Sequence, residues 1–416
     1  MDMQVLLNRY ADLILTHGVS LKKDDILNIA VECIGRDFAV LLTKKAYEMG
    51  AKAVYVDLID SRIGKLRINK SKEENLSFVL DYEAKKYDEF VDKRIANIRL
   101  ICPEDPDILN DEDPKRITKL SLAKNKAAKR FYEEGIGQSK MKWCIAAMSS
   151  PKWGKKVFPT LTEKEAEKAL WEDIFKICMV DKEDCLELWT QRDKAIEERV
   201  KKLQAFKVKE LHFVGPETDL YIGLSPKAKF GGGSERTDTG IDFEPNIPSE
   251  EIFTTPDYRT VRGTVKATRP VLISGKQVKG LKMTFTDGVV TDFDATEGKE
   301  NFASYIKGDT GSSRLGEVAL VSTDSPIFQS GHIFEEILFD ENAACHIAVG
   351  AGFDDCLEGA QNIKDYKERQ KYMDKNNIND SNIHTDFMIG GPNVVVEGIT
   401  ADGKKVTLIQ DNKFQI

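Results

Sequence analysis

The first half of the chain alternates short apolar runs with amphipathic stretches. Residues 26–31 and 53–58 are apolar runs that predict buried strands, and residues 38–49 between them carry apolar side chains at helical spacing. Two more apolar runs, at 99–102 and 143–147, predict further strands, separated by a basic stretch with a helical pattern. This order predicts a parallel or mixed sheet covered by helices.

The pattern changes twice in the second half. Residues 163–206 predict two helices that bridge domains, the first capped by Thr162. After that stretch, short strands alternate with Gly, Asp and Pro turns as far as a terminal hairpin that begins at Val406. We therefore expect α/β plus α+β architecture, with an N-terminal α/β sheet domain over 1–206, including the bridging helices, and a β-rich C-terminal domain over 207–416.

Composition narrows the functional classes. A length of 416 residues suits two domains, and 41% hydrophobic with 31% charged residues is typical of globular proteins. A net charge of −8, with Lys and Glu interleaved, argues against nucleic acid and anionic membranes as partners. Apolar runs fall short of the ~20 residues of a membrane span, and a signal peptide pattern is missing, so we expect a cytoplasmic protein. Seven scattered cysteines without CxxC predict reduced thiols.

Residues typical of metal ligands are concentrated in the last part of the chain. Glu317 lies within the apolar run 315–321, where a carboxylate needs a cation or several donors to offset its desolvation. His384 and Asp386 would face the same side of a strand and could bind adjacent ions. Four carboxylates and two imidazoles are enough for two divalent ions, such as zinc, cobalt or manganese, that activate water. The candidate ligands are Glu251, Glu317, Glu341, His346, His384 and Asp386.

Taken one at a time, these residues have simpler interpretations. Glu250 and Glu251 follow a proline turn, where carboxylates are usually solvated. A lone His346 before an apolar run is more often a hydrogen-bonded structural residue, and Cys345 beside it favours a small buried residue over a ligand or nucleophile. Residues 231–234, Gly-Gly-Gly-Ser, are interpreted as a flexible loop rather than a phosphate cradle, because the pattern predicts no helix after them.

The motifs together closely resemble the thermophilic aminopeptidase family, the aminopeptidase T and aminopeptidase S type metallopeptidases. The resemblance is carried by residues 250–257, 316–321, 338–348 and 384–390, and in the first half by 143–159. It implies a metal-dependent aminopeptidase that removes N-terminal residues from peptide substrates with two divalent ions. It also implies a two-domain homodimer with the metal-binding catalytic site in the C-terminal domain.

When the family's ligand positions are transferred motif by motif, the resemblance implies the same six ligands, with Glu317 or Asp386 as the bridge between the ions. Glu251 is preferred to Glu250 as a ligand because it directly precedes Ile-Phe, as the family ligand does. Catalysis by a metal-activated water needs a proton acceptor. We expect that general base to be Glu317 or the non-ligating Glu250.

One position departs from the family pattern. The family carries a tyrosine seven residues after the His346 position, and this chain has Phe353. A lost phenol that held an oxyanion would cost ~10²-fold or more in rate, unless an ion alone, Tyr366, Tyr372 or another group replaces it. Segment 354–380 is longer and more charged than expected for the family and could shape the substrate entrance.

Two alternative functions stay open. One is a dimetal hydrolase of another bond such as a phosphoester, which the sparse basic residues near the candidate ligands disfavour. The other is a non-catalytic metal-stabilised binding protein.

Overall fold

The computed structural model describes residues 2–273 and 276–416. The chain divides into two compact units. The first comprises the residues up to Gln191 with Ser234–Pro248, and the second comprises Arg192–Gly233 with Ser249–Ile416. Within the described residues, every helix is too short or too polar to cross a membrane.

The helices and strands follow the chain in this order. The α-helices are α1 (Met3–Leu13), α2 (Arg36–Glu48), α3 (Ser61–Lys70), α4 (Asp81–Asp92), α5 (Pro114–Ala127), α6 (Pro151–Val157), α7 (Glu163–Ile177), α8 (Cys185–Phe206), α9 (Lys299–Tyr305), α10 (Pro326–Gln329), α11 (Ile337–Asp340) and α12 (Tyr366–Lys375). The strands are β1 (Ile26–Glu32), β2 (Ala53–Ile59), β3 (Ala96–Ile101), β4 (Trp143–Ala147), β5 (Val208–Gly215), β6 (Thr218–Gly223), β7 (Gly231–Gly232), β8 (Glu235–Arg236), β9 (Asp242–Phe243), β10 (Asn246–Ile247), β11 (Ile252–Thr254), β12 (Arg262–Lys266), β13 (Val271–Ile273), β14 (Lys276–Val278), β15 (Lys282–Thr286), β16 (Val289–Asp294), β17 (Leu315–Leu320), β18 (His346–Gly350), β19 (His384–Met388), β20 (Val395–Thr400), β21 (Lys405–Gln410) and β22 (Lys413–Phe414).

The first unit is built on a parallel sheet with the strand order β10-β4-β3-β1-β2. The apolar side chains of β1, Leu27, Ile29 and Val31, are fully buried, and Asn28 between them is buried too, so coverage of both faces of the sheet explains the nearly continuous apolar run. Helix α7 begins with a capping box between Thr162 and Glu165, in which each side chain satisfies a backbone donor of the first turn. The predicted α/β architecture of this half is confirmed.

The division between the units differs from the expected boundary at residue 206. It falls between Gln191 and Arg192 inside α8, whose helical pattern runs through the boundary without a break. The chain also returns to the first unit, because β10 pairs with β4, Asn246 beside Ile145. A two-residue strand has too short a pattern to be predicted from sequence.

The second unit contains two larger antiparallel sheets. One has the order β16-β15-β12-β6-β5-β20-β21-β22, and the other, here called the shorter sheet, has the order β19-β18-β17-β11-β7. One face of the shorter sheet contributes to an apolar core that it shares with the first of these sheets. The core side chains from the shorter sheet include Val318, Leu320, Ile347, Val349 and Phe387. The predicted β-rich second half is confirmed, and its alternate residues face away from this core.

Candidate metal centre

Adjacent strands of the shorter sheet bring carboxylates and imidazoles onto one face. The register pairs Glu317 of β17 with Ala348 of β18, and Ala348 with Asp386 of β19. Because side chains two residues apart share a face, His346 lies on the same side as Ala348. His384 pairs with Gly350 and lies on the same side as Asp386. The face opposite the apolar core therefore carries four potential ligands around the small side chain of Ala348.

Two more carboxylates approach this face from outside the three strands. Glu251 directly precedes β11, and its Oε2 lies 3.1 Å from Nε2 of His346. Glu341 begins the short 3-10 turn before β18. Burial, together with the charges of Glu251 and Asp386, raises the pKa of Glu341 well above its ordinary value, and the charge of His346 opposes that shift. All six candidate ligands therefore converge on one region of the second unit.

The donor atoms form two overlapping groups. The donor atoms of Glu251, Glu317 and His346 lie within 4.8 Å of one another, and so do those of Glu317, His384 and Asp386. In the second group, Nε2 of His384 is 3.1 Å from Glu317 Oε2 and 3.5 Å from Asp386 Oδ1. Glu317 is common to both groups, so one carboxylate connects them.

Backbone carbonyls orient both imidazoles. His346 Nδ1 lies 3.3 Å from the Ala344 carbonyl oxygen, and His384 Nδ1 lies 2.8 Å from that of Ala351. Each ring donates its Nδ1 proton to a carbonyl and directs Nε2 at the carboxylates. Nε2 donates to the carboxylates while it is protonated, and without that proton it would be the nitrogen that holds an ion, as is typical of metal-ligating histidines. Gly350, at a φ of 117°, permits the close approach of β19, since a Cβ there would lie 2.0 Å from the Ile383 oxygen.

The cluster attracts positive charge. Burial raises the pKa of Glu317 to about 7, with further raising by the charges of Asp386 and Glu251, against a lowering hydrogen bond from His384. Burial alone would lower the pKa of His346, but the hydrogen bond and charge of Glu251 raise it to about 10. Several carboxylates close together in a buried site favour any cation that can neutralise them.

Three observations indicate that these residues suit divalent ions. Asp386 Oδ1 is buried and makes no hydrogen bond among the described residues, with the donor His384 Nε2 3.5 Å away, so a cation would satisfy it better. Both imidazoles are oriented by carbonyls, and the donors are oxygen and nitrogen atoms, which zinc, cobalt and manganese accept. Buried carboxylates in such numbers are costly without a counterion.

Glu250 lies apart from this cluster. Its carboxylate forms an ion pair with Arg192 of α8 at 2.5 Å, with side chains 18% and 11% exposed. Burial raises the pKa of Glu250, and the charge of Arg192 opposes that shift. Adjacent residues in extended chain point to opposite faces, so Glu251 faces the cluster while Glu250 faces the helix side.

The remaining candidates have local roles. Cys345 is buried and donates through Sγ to the Val321 carbonyl at 3.3 Å, as expected for a structural residue. The Phe353 ring packs against the imidazole of His384 with centroids 4.8 Å apart. The hydroxyl groups of the two tyrosines considered as replacements are engaged on and around α12, with the Gln370 side chain for Tyr366 and with Lys227 and the Glu358 carbonyl for Tyr372.

Several residues that shape the centre were missed in the sequence. Ala348 lies between Glu317 and Asp386, which only the strand register reveals. The interpretation of residues 231–234 as a flexible loop is wrong for Gly231 and Gly232, which form β7 against β11. A Cβ on Gly232 would lie 2.5 Å from the Glu251 carbonyl oxygen, so this glycine permits close packing beside a candidate ligand.

Comparison with known proteins identifies the family of the chain. A family model described as Thermophilic metalloprotease (M29) matches residues 3–414. Aminopeptidase AmpS of Bacillus subtilis (strain 168) is 34% identical over 408 residues, 98% of each chain. Aminopeptidase T of Thermus aquaticus is 34% identical over 414 residues, 99% of this chain and 98% of that protein.

A solved structure supports the same relationship. Wild-type AmpT from Thermus thermophilus matches with a TM-score of 0.92 and 31% identity, covering 100% of both chains. The match extends over both units, and the resemblance seen in the sequence motifs is thereby confirmed. The chain therefore belongs to the thermophilic metalloprotease family and is a peptide hydrolase that uses a divalent metal cofactor.

Proposed function

We propose that this protein is an aminopeptidase that removes N-terminal residues from peptides with two divalent ions. The proposed ligands are Glu251, Glu317, Glu341, His346, His384 and Asp386. The observation that carries the proposal is the membership of Glu317 in both groups of donor atoms, since a shared carboxylate is the usual link between paired ions. Relatives that span nearly the whole chain bear the name aminopeptidase, which supports the choice of substrate.

Each ion has a proposed set of ligands. Glu251 and His346 would hold one ion, His384 and Asp386 the other, and Glu317 would contact both. Glu341 completes the set, because the charges that act on its carboxyl are those of the other ligands. Oxygen and nitrogen donors suit zinc, cobalt and manganese alike.

When bound, the ions supply Lewis acidity to the peptide carbonyl and lower the pKa of a coordinated water. The protein residues supply orientation and proton transfer. The Ala344 and Ala351 carbonyls hold the two imidazoles in position. The buried Glu317 is the proposed proton acceptor, through a carboxylate oxygen that the ions would leave uncoordinated. Of the two carboxylates considered for that role, Glu250 is better explained as the partner that neutralises Arg192.

Three finer properties belong to the same proposal. We propose peptides as partners rather than nucleic acid, because Lys and Glu are interleaved and the net charge is −8. A cytoplasmic location follows from free cysteines, which reducing compartments maintain. Assembly as a homodimer follows from the family resemblance.

Metal reconstitution tests the proposal. Protein stripped with a chelator would be supplied with zinc, cobalt or manganese and assayed on a leucine chromogenic amide, with an N-acetylated amide as the control. We expect metal-restored cleavage of the free amine and none of the acetylated substrate, with two ions bound per chain. Restored cleavage of both substrates would contradict aminopeptidase specificity.

The alternatives are outcomes of the same assay. Two bound ions with turnover of a phosphoester but not of the amide would indicate a hydrolase of another bond. Two bound ions without turnover of either would indicate a metal-stabilised binding protein. The packing of Phe353 on His384 is the feature that keeps this second alternative open, because a phenylalanine cannot donate a hydrogen bond.

A further inference from the structure

The segment after Phe353 is a compact element with its own apolar cluster. Leu357, Ala360, Met373 and Ile378 are buried against one another, and Tyr372 packs at the edge. The segment includes α12 and is the stretch that the sequence marked as unusually long and charged. A cluster of this kind gives the segment a defined conformation, rather than that of a loose surface loop.

Hydrogen bonds fix this segment to the rest of the second unit. The Lys229 amide donates to the Cys356 carbonyl at 2.9 Å, and the Glu358 amide donates to the Lys227 carbonyl at 2.9 Å. At the other end of the segment, Ser225 Oγ donates to the Asn376 carbonyl at 2.8 Å. The segment is therefore held at both ends by the chain before β7.

Arg369 connects this fixed segment to the loop beside the metal centre. Its side chain is 4% exposed, and its Nη1 donates to Asp354 Oδ2 at 2.8 Å. Its Nε and Nη2 donate to the Ile363 carbonyl at 3.0 and 2.9 Å, which holds the guanidinium in one orientation. A charge-assisted bond from a buried, oriented guanidinium restrains its partner strongly.

Residues 351–354 form a loop that contacts His384 through two of its residues. Ala351 accepts the bond from His384 Nδ1 at 2.8 Å, and the Phe353 ring lies 4.8 Å from the imidazole. The Gly352 amide donates to the carbonyl of Asn379 at 2.9 Å, and Asn379 lies near the C-terminal end of the 354–380 segment. The position and rotation of the His384 ring thus depend on where this loop, residues 351–354, is held.

We propose that Arg369 is a positioning residue for the metal centre. Through Asp354 it holds the 351–354 loop, and the loop orients His384 so that Nε2 points at Glu317 and Asp386. The inference rests on the proposed role of His384 as a ligand. The long charged segment thereby has a role in the metal centre, because it restrains the ligand His384 through the 351–354 loop.

The test compares Arg369→Met and Asp354→Asn with Arg262→Met. Arg262, a more exposed arginine that forms an ion pair with Glu210 on the eight-stranded sheet, serves as the control for loss of an ion pair away from the metal centre. Each protein, freed of metal, is titrated with cobalt, and calorimetry and the visible absorption spectrum are recorded. We expect one of the two cobalt ions to bind about 10–100-fold more weakly in the Arg369 and Asp354 variants, as for other groups that orient ligands. The control should match wild type, and Arg369→Lys should recover part of the loss.

Unchanged cobalt affinities and spectra in both variants, with only a lower melting temperature, would overturn the inference and leave Arg369 a purely structural residue. Should Arg369→Met fail to fold, Asp354→Asn decides, because it keeps the size of the side chain and removes only its charge. Wild-type protein that binds fewer than two ions would overturn the proposed function itself. That result appears before any variant is examined, so the two failures are distinguishable.

Discussion

Glu317 and Asp386 pair in register with the same residue, Ala348, from opposite sides of β18. The two carboxylates therefore flank a methyl group on a buried face, with His346 and His384 above and below along the strands. A larger side chain in the middle would occupy the space that the ions need. This relationship makes the strand register, rather than any local motif, the origin of the metal centre.

Ala348→Val tests that relationship. The added methyl groups would intrude between Glu317 and Asp386, so we expect loss of at least one ion and a destabilisation of about 1–3 kcal/mol from overpacking. Ala348→Gly keeps the space open and serves as the control. Metal content and thermal unfolding of both variants provide the measurement, and a valine variant with two ions at wild-type affinity would contradict the assignment.

Glu317→Gln should remove both ions, because both groups of donor atoms contain this carboxylate. We expect activity to fall by about 10³-fold or more, in line with loss of a metal-activated water. Glu397→Gln, a change on the larger sheet beside His212 and Lys405, is the control and should retain both ions. Metal analysis after dialysis gives the result directly. A glutamine variant that keeps two ions would show that Glu317 does not connect them.

Glu250→Gln should reduce stability and leave catalysis almost unchanged. The change removes the charge that neutralises the partly buried Arg192. Breaking a fully buried ion pair costs about 3–5 kcal/mol, so we expect a smaller loss of about 2 kcal/mol here. We expect kcat within about threefold of wild type at a temperature where the variant is folded. Adding Arg192→Met should restore much of the lost stability. A large fall in kcat with an altered pH profile would instead identify Glu250 as the general base.

Asp309→Asn tests an anchor of the turn before His384. Burial raises the pKa of Asp309, but bonds from the Asn382 amide at 2.7 Å, Ser381 Oγ at 2.9 Å and the Gly311 amide at 2.9 Å lower it to about 2. Because the folded pKa lies below the ordinary value of 3.8, the charged form stabilises the fold above that pH. The stabilisation is lost as the pH falls towards 2.

The variant should therefore be less stable than wild type at pH 7, by about 1 kcal/mol for the weakened hydrogen bonds. The difference should be largest above about pH 4 and should shrink as the pH is lowered from about 4 towards 2. Urea unfolding of Asp309→Asn and wild type across this range measures it. Asp292→Asn, at an exposed position on β16, is the control. A difference that grows on acidification would reverse the sign and refute the argument.

Phe353→Tyr tests the departure from the family pattern. The ring packs on His384, and tyrosine keeps that ring while adding a hydroxyl group near the ligands. We expect kcat to rise by about 10-fold or more with KM nearly unchanged, as for an added oxyanion donor. Phe353→Leu, which removes the ring, should lower kcat. Cleavage that appears only in the tyrosine variant would show that the wild-type protein is not a working enzyme.

The sequence predicted the parts of the fold that local pattern determines. The strand at 143–147 and the helix capped by Thr162 needed only apolar periodicity and a capping residue, and both are confirmed. The return of β10 to the first unit and the pairing of Gly231–Gly232 were not foreseen, because two-residue strands have no measurable period.

The candidate site, like the fold, could be predicted only in part from the sequence. A carboxylate within an apolar run drew attention to Glu317, since burial of an unpaired charge is costly. The choice of Glu251 over Glu250 rested on resemblance, and the opposite orientation of neighbouring residues now supplies a physical reason. Ala348 and Arg369 could not be found in the sequence, because their importance depends on contacts between strands and segments distant along the chain.

An anomalous difference map from crystals grown with zinc, recorded on both sides of the zinc absorption edge, would show whether Glu317 joins two ions. We expect two zinc peaks in the second unit, one contacted by Glu251 and His346, the other by His384 and Asp386, with Glu317 contacting both. A single peak, or two peaks with Glu317 bound to neither, would contradict it.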